Sequence, residues 1–230
     1  MRTRRAALLV AAALAVAALV AALLVFRSLD ARIENALETI GSELLGTRVS
    51  VGSVVVDVRG GRATVRGVEV ANPRGETLDF SDEPALRCGE IEIALEPASV
   101  VGSGPVVLSE VRVLAPRLSA EVTPTGINLL ELERRVARAS PAAADQEAAG
   151  SAEPRRFVVR RLVFEDATLR ADSRPVGGDV RELPLADLVL SEIGAPRGVT
   201  PAELGQRVLE ALLTRTLAEL ARARIGALVE

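Results

Sequence analysis

The sequence predicts a β-rich α+β domain held behind one N-terminal transmembrane helix. Three observations carry that prediction. An uncharged apolar run of 21 residues follows three arginines at the N-terminus. Most of the chain after Gly46 alternates apolar and polar residues with period two. Helical periodicity is confined to segments that flank or interrupt those alternating stretches. The expected architecture is a curved, mostly antiparallel sheet with flanking helices and a long amphipathic helix at the C-terminus.

Arg2, Arg4 and Arg5 precede the run from Ala6 to Phe26, and Arg27 closes it. At ~1.5 Å per residue the run spans the ~30 Å hydrocarbon core of a bilayer. A secretory signal has a shorter apolar region of roughly 7–15 residues. An uncleaved anchor over 6–26 is therefore predicted, and no Cys near its end offers a lipid attachment site. The arginine asymmetry places residues 1–5 in the cytoplasm and everything from about Arg27 onward outside it.

Residues 27–46 read as a stalk or cap helix. Ile33, Leu37, Ile40 and Leu44 recur on one stripe, and Gly46 sits where a helix stops. Its charges are mixed rather than basic, which favours packing on the next sheet over lying on a membrane. The first part of the β-domain covers 47–139. Val54, Val56 and Val58 alternate with Val55, Asp57 and Arg59, and Gly60-Gly61 turns the chain into a returning strand. Parity slips near Gly67, which predicts a bulge. Asn72-Pro73-Arg74-Gly75 is a turn. Strands follow over 86–95, 105–115 and 118–122. A short helix is expected over 128–139, with Asn128 and Glu131 at capping-box spacing. Residues 140–154 are small and polar and read as a flexible linker. The second part of the β-domain, 155–195, holds strands over 157–170 and 183–191. Thr200-Pro201-Ala202-Glu203 then opens the last helix, 200–229, with a capping box and a proline at the first helical position. Leu209, Leu212, Leu213, Leu217 and Leu220 share one arc of it.

The composition excludes much chemistry. His, Tyr, Trp and Lys are all absent. Lysine Schiff bases, histidine-activated nucleophiles and histidine-ligated metals are therefore impossible. The single Cys88 makes neither an intrachain disulfide nor a thiolate zinc site and reads as a small core residue. A net charge of -3 gives no basic field for nucleic acid. Glu165-Asp166 and Asp79, Asp82 and Glu83 lack the spacing of a calcium loop, and nothing in the sequence shows them as the carboxylate pair of a glycosidase, so they read as solvated turns. Arg155-Arg156 and Arg160-Arg161 read as the solvent face of a strand, with anionic headgroups as the alternative partner. No cofactor and no catalytic residue is predicted.

Three phrases carry a family resemblance: VSVGSVVVDVRGGRATVRGVEVANPRG from Val49, VVLSEVRVLAPRLSAEVTPTGINLLEL from Val106, and FVVRRLVFEDATLRADSR from Phe157. In this order, behind an anchor, they resemble the N-terminal modules of AsmA-like bacterial envelope proteins. The resemblance implies a single-pass inner-membrane protein with a periplasmic β-domain that serves envelope homeostasis. Long relatives are thought to carry phospholipid along an apolar groove. About nine strands at ~4.8 Å would stack here to roughly 43 Å, so one copy is not expected to bridge two membranes.

Two functions follow as expectations. One is lipid handling on an apolar face made of Val54, Val56, Val58, Ile91, Ile93, Leu95, Val111 and Val113, which share strand parity. The other is a structural or assembly module that binds an envelope protein through the leucine arc of its last helix or an open sheet edge. Asp57, Arg59, Glu90, Glu92, Glu110 and Arg112 are expected on the opposite, water-facing side.

Overall fold

The computed structural model describes residues 33–57, 59–149 and 156–222. The expected anchor over 6–26 and Val58 lie outside them. Among the described residues no helix is long and apolar enough to cross a membrane.

A helix over 33–45 (α1) leads into β1 (Val49–Ser50), β2 (Ser53–Asp57), β3 (Arg62–Val70) and β4 (Leu86–Leu95). A single helical turn, α2 (Pro97–Val101), joins β4 to β5 (Val106–Leu114) and β6 (Arg117–Thr123). The two-residue β7 (Gly126–Ile127) runs directly into α3 (Asn128–Ala149). The chain then adds β8 (Phe157–Glu165), β9 (Thr168–Asp172), β10 (Val180–Pro184), β11 (Leu188–Ile193) and α4 (Pro201–Arg222).

The hydrogen-bond registers reduce these strands to six lanes. β5 and β6 are one bent lane, as are β8 with β9 and β11 with β10. The lane order is β1/β2, β3, β4, β5–β6, β8–β9 and β11–β10, with β7 a patch beside the end of β6. Six lanes at ~4.8 Å are about 29 Å across, well short of the roughly 43 Å that counting separate strands suggested. The strands pair end to end as well as side by side.

The sheet is mixed but mostly antiparallel, as expected: among the described strands eight pairings run antiparallel and two run parallel. β5 runs parallel to β8, and β6 runs parallel to β9. The offset is 51 residues throughout, from Val106↔Phe157 to Glu121↔Asp172. A parallel neighbour needs a long return path. The segment containing α3 supplies it.

Curvature comes from a transverse row of irregular positions. Gly52 donates to the Arg66 and Gly67 carbonyls, and Gly67 lies opposite Gly89, between the Arg66–Glu90 and Val68–Cys88 pairs. The row continues through Ala115 and Asp166, whose φ values of 45° and 53° match the left-handed turn of Gly67 at 65°. At each crossing the residue parity of the inner face flips. Val54, Ile91, Val113 and Phe164 face the core on one side of the row. Val49, Leu118, Ala120 and Leu169 do so on the other. The bulge expected at Gly67 is thus one member of a row that bends every lane.

Helices cover the inner, concave face. Beyond the row, Leu129 and Leu132 of α3 seal Leu118, Ala120, Leu169 and Ala171 into a closed core. The helix that the sequence appeared to end near Ala139 continues to Ala149, into the expected linker. Alanine is the best helix former, and the alanine run outweighs the lack of bulky side chains on which the linker expectation rested. The capping box at Asn128 does not form either. Glu131 pairs with Arg135 at 3.2 Å instead. The box at Thr200 does form: the Glu203 amide donates to Thr200 Oγ1, and the Thr200 amide donates to Glu203 Oε2. Gly46 ends α1 at φ 59°, as expected.

Candidate apolar trough and its polar cap

On the near side of the kink row, the inner face carries the residues singled out from the sequence. Val54 and Val113 are buried. Val56, Ile91, Ile93, Leu95 and Val111 are only half-buried. Val68 and Ile91 pack against both adjacent apolar clusters, so the face is continuous. Leu95 sits where the β4–β5 register shifts, at the end of the trough floor.

Two helices flank this floor. Ile33 of α1 packs on Val51, Val54 and Val65. Leu204, Val208 and Leu212 of α4 pack on the Val113, Leu162 and Phe164 cluster. A Cβ on Gly205 would lie 2.8 Å from Leu44, so the glycine lets α4 come close to α1. One turn and more before that contact, Leu37 and Ile40 remain 41% and 43% exposed on the α1 stripe. Of the α1 stripe, Ile33 packs on the sheet as expected, whereas Leu44 lies against α4. Of the leucine arc on α4, Leu209 and Leu212 pack on the domain's own clusters. The side chains of Leu213, Leu217 and Leu220 lie outside the described residues.

The outer face is a ladder of cross-strand ion pairs. Arg66 meets Glu90 at 2.9 Å, Arg112 meets Glu92 at 2.9 Å, and Arg161 meets Glu110 at 3.4 Å. Arg112 also grips Glu165, donating from Nε and Nη2 to its two oxygens, which holds that carboxyl below its ordinary range. Each pair is partly exposed, so solvent screening leaves it a small contribution to stability. Together they specify which face meets water. The Arg160-Arg161 patch is absorbed here, with Arg160 on Glu96 at 2.7 Å.

At the far end, the Asn72-Pro73 turn and the Gly126-Ile127-Asn128 turn meet in a buried polar network. Asn128 is fully buried. Its Oδ1 accepts from the Glu121 and Leu129 amides, both at 2.8 Å. Its Nδ2 donates to Asn72 Oδ1 at 2.7 Å and to the Ser119 carbonyl at 2.8 Å. Asn72 Nδ2 in turn donates to Glu121 and to the Ser81 carbonyl, each at 3.1 Å. The Ser81 amide and hydroxyl complete the shell of the Glu121 carboxylate. Every polar atom of Asn128 finds a partner, as burial demands.

Beside this network lies a cleft of about 380 Å³ lined by Ser81, Glu83, Glu121, Asp172, Arg174 and Pro175. Its carboxylates are engaged. Arg174 binds Asp172 through its backbone and side chain and holds the carboxyl at about 2. Arg170 ties Glu83 to Asp172. Asp82 pairs with Arg74. Of the carboxylates singled out from the sequence, Glu165, Asp82 and Glu83 are paired with arginines. Among the described residues, no group of three His, Cys, Asp or Glu is placed to hold a metal ion. Burial pushes the Cys88 thiol up, consistent with a core residue.

Sequence reasoning missed the equivalence behind this site. Glu121 and Asp172 are partners across the parallel pair. Each lies three residues before a Pro-x-Gly, at Pro124–Gly126 and Pro175–Gly177, and a third Pro-x-Gly stands at Pro73–Gly75. That spacing of 51 residues was the available signal. The sequence matches no protein-family model and no curated relative.

Proposed function

We propose that this protein is an AsmA-like envelope protein, anchored in the bacterial inner membrane with its β-domain in the periplasm. In this reading its role is non-enzymatic. The near half of the concave face holds an acyl chain of a phospholipid during envelope homeostasis.

One observation carries the reading. Beyond the kink row, α3 seals the inner face, whereas on the near side Val56, Ile91, Ile93 and Val111 stay half-buried beside the exposed Leu37 and Ile40. Contiguous exposed apolar surface on a soluble domain marks a binding surface. The order of the three motif phrases behind an apolar run supports the family assignment.

The second reading is an assembly module. Its strongest sequence feature was the leucine arc of α4, and Leu209 and Leu212 are engaged within the domain. That packing favours the lipid reading.

The test is lipid co-purification with the full chain, read by mass spectrometry. Ile93→Asp places a charge on the trough floor and should abolish bound phospholipid. Val55→Asp, on the outer face where Val55 is 52% exposed, should retain it. Thermal unfolding of both variants separates loss of ligand from loss of fold. A wild type that never carries lipid, or an Ile93→Asp variant that is folded and still loaded, would overturn the proposal.

A further inference from the structure

We propose that the β2–β3 hairpin tip docks on an anionic phospholipid surface, with Arg59 and Arg62 as the headgroup contacts. The inference rests on the anchor reading above.

The first support is chain geometry. The amides of Val51 and Val49 donate to Glu38 and Ser42 of α1, while Ile33 packs on the Val54 cluster. α1 therefore runs antiparallel to β1–β2, and its first described turn lies toward the hairpin tip. Ile33 follows Phe26, the last apolar residue of the anchor run, by seven residues. Seven residues reach at most ~24 Å. The tip end of the sheet is thus the membrane-proximal end, and the turns at Pro73–Gly75, Pro124–Gly126 and Pro175–Gly177 lie at the other end.

The second support is charge. Arg66, Arg87, Arg112, Arg160 and Arg161 on the outer face are each paired with a carboxylate. Arg59 and Arg62 flank the Gly60-Gly61 turn, both are exposed, and neither has an ion-pair partner among the described residues. The neighbouring carboxylate, Asp57, accepts from the Gly60 amide. The opposite end carries both signs, with Asp82 paired to Arg74 and Glu83 to Arg170 beside the exposed Glu76, Asp79 and Asp179. A negatively charged bilayer attracts the two arginines at the tip.

Each arginine at such a surface strengthens local binding about fivefold, so the pair is worth about thirtyfold.

The test uses the wild-type full chain in lipid nanodiscs, one set of phosphatidylcholine alone and one containing phosphatidylglycerol. Phenylglyoxal modification is followed arginine by arginine by peptide mass spectrometry. Arg59 and Arg62 should react at least threefold more slowly in the anionic discs, and 1 M salt should erase the difference because screening shortens to ~3 Å. Arg48 and Arg117, exposed and beyond the kink row, should react equally in both discs. Equal rates at Arg59 and Arg62, or protection at Arg48 instead, would overturn this proposal alone. A chain that does not enter nanodiscs overturns the anchor reading and this inference together. Lipid co-purification tests the trough independently of either.

Discussion

Replacing Asn128 with alanine tests the polar cap, because one side chain joins two turns and a strand there. The substitution removes four hydrogen bonds of 2.7–2.8 Å from a residue with no solvent exposure. Three groups lose a partner within the protein: the Glu121 amide, the Ser119 carbonyl and Asn72 Oδ1. The fourth, the Leu129 amide, belongs to the first turn of α3, where backbone donors are orphans by nature. An unsatisfied buried group costs about 1–3 kcal/mol. Partial relaxation and entry of water leave an expected loss of ~3–5 kcal/mol. For a domain of this size each kcal/mol moves the thermal midpoint by roughly 2–4 °C, so the midpoint should fall by about 10–15 °C. Urea unfolding of the full chain in detergent, followed by far-UV circular dichroism, reads the loss directly. Asn128→Asp separates hydrogen bonding from packing. It keeps the volume but turns a donor into an acceptor facing Asn72 Oδ1 and the Ser119 carbonyl, so at pH 7 it should be at least as damaging as alanine. A loss below ~1 kcal/mol for Asn128→Ala, or a fully stable Asn128→Asp, would refute the assignment of this network as the clamp between the turns.

Two further predictions concern the bend and the acid response. Gly67 sits at φ 65°, so Gly67→Ala should lose about 1–2 kcal/mol in urea unfolding, and an unchanged midpoint would show that the kink row tolerates side chains there. Asp172 is hydrogen-bonded by Arg174, and its carboxyl is lowered to about 2. A lowered carboxylate contributes stability that is present above the unfolded value of ~3.9 and lost as pH falls through about 2. Asp172→Asn should therefore reduce stability at pH 7 and flatten the acid-unfolding profile between about pH 4 and pH 2. A profile identical to wild type would place the strap outside the folding equilibrium.

Local patterns were legible because they rest on local physics. Period-two alternation placed β4 at Leu86–Leu95 without error, since side chains of one strand must alternate between core and water. The glycine hairpin was legible too, and the Asp57↔Arg62 pair closes it. Thr200 and Glu203 announced the start of α4 because a capping box is made within four residues. The charges of Glu90, Glu92, Glu110 and Arg112 were assigned to the outer face for the same reason, and their cross-strand partners hold them there.

The long-range decisions were not legible. Treating 157–170 as one strand missed the turn at Asp166, whose left-handed φ flips the parity between Phe164 and Leu169. Asp tolerates this conformation better than most residues, but Ala115 gives no sign of it, and neighbouring lanes bend at the same level. The parallel pairing of β5 with β8 depends on what closes the gap between them, and no residue within either strand encodes it. Asn72 and Asn128 each looked like an isolated turn residue, yet 56 positions apart they satisfy one another in the interior. The sequence by itself determined which segments are strands or helices, which face of each strand is apolar, and which chemistries are absent. The tertiary structure alone decided that the apolar face is sealed at one end and half-covered at the other. Whether a helix covers a given strand depends on pairing and crossover geometry between residues far apart in the chain, and periodicity carries no information about that distance.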